Sequence, residues 1–184
     1  MTNTLQFTSS AWVQSYALEV DVNENNIDSD VLLKQVFLPV WNSPNGKQIY
    51  NTLERTFRHI IPADRFDKFF STNNHVQPYL ETIDVHKVRE TYFEPLQCNT
   101  GLISMIVWLK IPHPQSITFV YNDGEGITQH SIDIEEGTVM IFPSSLNHII
   151  YPFYESGERV SVHCTINWKQ DDSWNIFQSL AKCG

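Results

Sequence analysis

Basic residues are scarce in this 184-residue chain: twelve Lys and Arg stand against twenty-one Asp and Glu, a net charge of -9. No stretch gathers them into a patch, which argues against binding nucleic acid through phosphate neutralisation. Cysteine is scarcer still. Cys98, Cys164 and Cys183 form no CxxC or CxxxC pair, and an odd count with no disulfide framework reads as reduced thiols, small apolar residues destined for the interior. Long apolar runs are missing too, with nothing near the roughly 20 residues of a membrane helix. The opening MTNTLQFTSSAW has neither a basic segment nor an apolar core, so the expectation is a cytoplasmic protein. There is no internal repeat, no Gly-rich phosphate loop, no nucleophile elbow around Ser144 and Ser145, and no helical pair of histidines of the zincin kind.

What is present is the composition of one folded domain. Hydrophobic residues make up 41% and charged residues 18%, which excludes both a disordered chain and a coiled coil. The character of the chain changes near Pro78. Before it, Trp12–Val22 reads as a strand and Asp28–Phe37 as a helix. Between Lys47 and Phe70, Ile49, Leu53, Phe57, Ile60 and Ile61 share one helical face as far as Pro62. From about Tyr79 the pattern turns to short strands punctuated by Gly, Asp and Pro: 102–111, 116–122, the turn NDGEG, 130–134, 138–142 and 159–168. That spacing predicts a mainly β fold with flanking helices, a double-stranded β-helix or jelly roll. The divisions are about 1–78 for the supporting elements, about 79–168 for the jelly-roll core, and 169–184 for a tail or helix.

One segment carries chemistry. Gly137 makes a turn, Val139 and Ile141 alternate along a strand, and the chain pivots at Pro143 before presenting His148. In the strand that begins at Arg159, period-2 alternation puts Arg159, Ser161, His163 and Thr165 on one face and Val160, Val162, Cys164 and Ile166 on the other. A polar face on a central strand needs partners, and a buried Arg needs an anion or a carboxylate.

Three blocks, FEPLQCNTGLISMIVWLKIP at 93–112, GTVMIFPSSLNHIIYP at 137–152 and ERVS at 158–161, resemble the iron(II)- and 2-oxoglutarate-dependent oxygenases, in particular the small prolyl-hydroxylase-like members common in bacteriophage genomes. The resemblance implies Fe(II) and 2-oxoglutarate as cofactors. It implies His148 as a metal ligand, Arg159 as the partner of the distal carboxylate of 2-oxoglutarate, and Ser161 as its hydrogen-bonding neighbour. The family's other two ligands, a His-x-Asp or His-x-His pair, fall on Gln97 and Asn99. Neutral amides there remove an imidazole and the one negative charge of the triad, a donor set that holds iron(II) poorly. Cys98 points to the opposite face of the strand.

The resemblance therefore implies a degenerate oxygenase scaffold that serves as a structural or protein-interaction module. Its partner would be a protein or an assembly, in a virion or the host cytoplasm, with no membrane and no direct nucleic-acid contact. Two alternatives stand beside it. One is an active 2-oxoglutarate-dependent dioxygenase with an atypical metal site built from His148, His163 and a carboxylate, with Glu94, Asp84 or His86 near. The other is a cupin-like protein, since Gly137, Pro143 and His148 approximate the second cupin motif although the first is absent.

Overall fold

The computed structural model describes residues 3–8, 11–42 and 76–170. The helix read over Lys47–Phe70 and the tail beyond residue 170 lie outside them. Ten strands are described: β1 (Asn3–Gln6), β2 (Trp12–Ala17), β3 (Val76–Arg89), β4 (Glu94–Gln97), β5 (Ile103–Lys110), β6 (Gln115–Asn122), β7 (Ile127–Ile134), β8 (Thr138–Pro143), β9 (Asn147–Ile150) and β10 (Glu158–Gln170). They make two antiparallel sheets, one in the order β1-β2-β8-β5-β10-β3 and the other in the order β4-β9-β6-β7. Dealing β3 to β10 between two facing sheets in this order is the double Greek key of a jelly roll. The fold class expected from the strand spacing is the one observed.

The central strands of the larger sheet, β8, β5 and β10, are buried on both faces. Met105, Val107, Val139, Ile141, Val162 and Cys164 face outward onto Leu32, Val36, Phe37 and Val40. Their neighbours in sequence, Ile106, Trp108, Met140 and Phe142, face inward onto Ile117, Phe119 and Ile150 of the smaller sheet. Full burial of one such side chain contributes about 1.5–3 kcal/mol. Continuous apolar runs such as ISMIVWL follow from a sheet that is covered on both sides.

The covering helix is the one expected over Asp28–Phe37, with a difference. Its middle is a π-helical stretch, Val31–Phe37, continued by the short α1 (Leu38–Trp41). The wider i→i+5 turn sets Leu32, Val36 and Phe37 against the sheet together. Asp28 caps the start, its Oδ1 accepting from the backbone N–H of Asp30 at 2.8 Å. The strand read over Trp12–Val22 ends at Ala17. Leu18, Val20 and Val22 still pack on the outer core without pairing in a ladder, so their alternation reflects burial rather than sheet. Cys164 is buried as expected, whereas Cys98 is exposed. No described helix is long and apolar enough to cross a membrane.

Gly157, between β9 and β10, has φ +154°, and a Cβ built there would lie 2.6 Å from Cβ of Pro112. Gly157→Ala is therefore expected to destabilise the fold by about 1–3 kcal/mol, read as a lower urea midpoint at unchanged m. An unchanged midpoint would show that the Pro112 loop yields freely.

Candidate functional site

The inner face of β10 organises the site. Arg159, Ser161, His163 and Thr165 point between the sheets and are buried, while the residues between them pack under the helix. Arg159 is wholly enclosed. Its Nη2 donates to Oε1 of Glu94 at 2.7 Å, and its Nη1 donates to Oε1 of Gln115 at 2.9 Å and to the carbonyl of Tyr151 at 3.4 Å. Burial lowers its pKa against the opposing pull of Glu94, but a guanidinium stays charged at any accessible pH.

Glu94 comes from the opposite sheet and is 2% exposed. Burial alone would raise its carboxyl. The His86 imidazole, His163 and the Arg159 guanidinium outweigh that and hold it below the ordinary carboxylate range. Its second oxygen, Oε2, accepts no hydrogen bond and stands 3.7 Å from Nδ1 of His86. The His86 ring stacks on His163, centroids 4.0 Å apart and 9° from parallel. The Nε2 of His163 meets the Ser161 hydroxyl at 3.0 Å. Burial first, then the neighbouring His86, pushes the pKa of His163 down to about 3, so it is neutral at physiological pH.

His148 lies deeper, on β9, with its ring edge-on to Phe142 at 5.1 Å. Burial lowers its pKa despite the Leu146 carbonyl and the charge of Glu94. Its Nδ1 lies 3.2 Å from that carbonyl, so the N–H sits there and Nε2 is the acceptor. Facing Nε2 is the side-chain amide nitrogen of Gln97 at 3.5 Å, and the two residues are register partners across β4 and β9.

The structure thus brings Gln97 to His148, and Arg159, Ser161 and His163 to one wall. Asn99 turns elsewhere: its amide nitrogen donates to the hydroxyl of Ser104 at 2.9 Å, and that hydroxyl meets Ser144 at 2.9 Å. Gln115 is a member that counting along the sequence does not assign, while Glu94 and His86 enter the sequence reading only as neighbours of an atypical metal site with His148 and His163. Glu94 is hidden by an irregularity in β4. Glu94 pairs with Ile150 and Gln97 with His148, three residues against two, and this bulge turns both Glu94 and Gln97 inward where strict alternation would separate them. The sequence signal for Glu94 was a buried Arg in want of a carboxylate.

No family model and no curated protein matches the chain. Solved structures similar to this chain include a 2OG-Fe(II) oxygenase family oxidoreductase from Burkholderia pseudomallei, 13% identical over 84% of this chain and 68% of that one, with a TM-score of 0.44. RmlC from Streptococcus suis, solved with dTDP-D-xylose, is 10% identical over 96% and 72%, with a TM-score of 0.44. A Pseudomonas putida prolyl-4-hydroxylase is 12% identical over 88% of both chains, with a TM-score of 0.39. The structural neighbours thus include 2-oxoglutarate oxygenases at low identity, while no sequence relative confirms that family.

Proposed function

We infer that this chain is a jelly-roll binding module, not a 2-oxoglutarate-dependent hydroxylase, and that it works through contact with a protein partner. The observation that carries this reading is the Glu94–Arg159 pair. The guanidinium that the oxygenase resemblance assigns to the cosubstrate carboxylate already has an internal carboxylate 2.7 Å away. A second anion would have to displace a buried ion pair, leaving Glu94 uncompensated at a cost of several kcal/mol.

The metal positions that the resemblance marks do not fit iron(II) either. They offer one imidazole, His148, facing an amide nitrogen, and an Asn99 engaged by Ser104. Transition-metal sites are built from imidazole, thiolate or carboxylate donors, and the marked positions supply a single one. For a partner, the surface offers Tyr92, Phe93, Leu96 and Tyr151, each about half exposed, with the Phe93 and Tyr151 rings 6.4 Å apart. Exposed aromatic side chains that lie together, as Phe93 and Tyr151 do, are the usual anchors of a protein interface. Because the three blocks resemble phage-type members of the oxygenase family, a virion or a host-directed complex is the setting this reading favours.

The test is iron(II)-dependent succinate release, measured on wild type and Arg159→Ala together with direct 2-oxoglutarate binding. The expected result is no turnover and no saturable binding. Turnover by wild type that Arg159→Ala abolishes would overturn the reading and restore the hydroxylase.

A further inference from the structure

A second cluster lies beside the positions that the resemblance marks. His86 on β3, Glu94 at the start of β4 and His163 on β10 each turn one potential ligand atom inward, and these atoms lie within 4.8 Å of one another. None of the three is His148, Gln97 or Asn99. Two features set the group apart from an ordinary buried polar cluster. One is the divided carboxylate of Glu94, whose Oε1 serves Arg159 while the buried Oε2 has no hydrogen-bond partner. A buried carboxylate oxygen whose neighbour, His86 Nδ1, stands beyond hydrogen-bond reach at 3.7 Å is incompletely satisfied unless something occupies the space between them. The other is the pair of imidazoles beside that oxygen, with His86 Nδ1 at 3.7 Å and the His163 ring stacked on the ring of His86.

We propose that His86, Glu94 and His163 bind one divalent first-row transition ion, tying β3, β4 and β10 together at the open end of the site. Two imidazoles and a carboxylate suit zinc and its neighbours, whereas calcium and magnesium prefer all-oxygen shells. The outer shell is in place: the Ser161 hydroxyl orients His163 and Arg159 fixes the far oxygen of Glu94. Such partners set ligand geometry and raise affinity. His86 is the accessible ligand, with its side chain 30% exposed, and it borders an open cleft of about 620 Å³ lined by residues 85–92. Entry is from the side of His86, the exposed member of the group.

Donor atoms about 2.0–2.2 Å from one ion sit roughly 3–4 Å apart, so the group closes by about 1 Å on loading. Lone pairs lie in the ring planes, and stacked imidazoles cannot both aim theirs at one point, so His86 leaves the stack as the ion enters. The site is independent of the partner role inferred above. It adds no cosubstrate anchor, because Arg159 remains held by Glu94.

The experiment uses the full chain without an affinity tag, stripped with EDTA, then titrated with Zn²⁺ by calorimetry and with Co²⁺ by visible absorption. One equivalent is expected to bind, with d–d bands in the Co²⁺ form and a higher Tm in zinc. His86→Ala should weaken the Kd by at least about tenfold and remove both signatures. Circular dichroism and an unchanged metal-free Tm would show that the variant is folded, and His86→Gln gives a second variant that keeps most of the volume. His113→Ala, a surface histidine next to Glu155, should keep the wild-type affinity. Absence of saturable binding, equal affinity in wild type and both His86 variants, or loss in His148→Ala with retention in His86→Ala would each overturn the assignment.

Discussion

Replacing Glu94 with alanine is expected to lower the stability of the fold by about 3–5 kcal/mol, the loss incurred when one partner of a buried ion pair is removed. The size follows from Arg159, which is 0% exposed and cannot shed its charge. With Glu94 gone it keeps only Gln115 and the Tyr151 carbonyl, both neutral. The pair itself is not what holds the protein together. Glu94→Leu with Arg159→Met removes both charges at similar volume and is expected to return to within about 1–2 kcal/mol of wild type. Urea unfolding of the wild type, the single variant and the double variant decides. A single variant within about 1 kcal/mol of wild type would mean that water or another carboxylate reaches Arg159, whose guanidinium would then be open to a second anion.

The second large effect is acid lability. An unfolded chain protonates His163 near the ordinary histidine value of 6.5, while the folded chain excludes that proton until about pH 3. Between those values the unfolded state binds more protons. Stability is therefore complete above about pH 6.5 and falls as pH drops, by about 1.4 kcal/mol per unit. At pH 4.5 the loss from this one residue is about 3 kcal/mol. His148, also lowered by burial, adds loss in the same direction. Glu94, held below the usual carboxylate range, contributes stability that disappears at still lower pH. Unfolding free energies across pH 4–8 in the presence of a chelator would show the slope, and His163→Asn, which has nothing to titrate, should flatten much of it. A wild-type profile level down to pH 4.5 would mean that His163 takes up its proton in the folded state.

How far the sequence revealed these groups depended on which regularity each one obeyed. Residues 103–110, 138–143 and 158–166 follow period-2 alternation in a sheet covered on both faces, so the inward set Arg159, Ser161 and His163 could be read directly. The fold class followed from the spacing of such strands and the turns between them. β3 escaped because it lies at the edge of its sheet and its sequence VQPYLETIDVHKVR mixes polar and apolar residues on both faces, with exposed Val85 and a bulge opposite Thr165/Ile166. With it, His86 is read only as one of three candidate neighbours of an atypical metal site, beside Asp84 and Glu94. Glu94 broke the counting rule through the bulge in β4. Its meeting with Arg159 depends on how two sheets stack, a relation that no local pattern encodes. Asn99 shows the converse: two positions on from Gln97 it shares a nominal face, yet the strand has ended by then, and the side chain follows the turn toward Ser104.

The pairing of β3 with β10 also orders events in time. The hydroxyls of Thr82 and Thr165 meet at 2.8 Å although the residues are 83 apart in the chain, and Glu94 and Arg159 are 65 apart. During synthesis at about 5–20 residues per second, Glu94 leaves the ribosome several seconds before its counter-ion, and β3 waits as long for the neighbour that completes its ladder. Both arrive on one strand. Zipping up the larger sheet and neutralising the carboxylate are therefore a single late event, and a nascent chain that ends before β10 has neither. Contacts this distant in sequence make closure slow as well as late, so for those seconds the hydration of Glu94 by water opposes premature collapse of the two sheets.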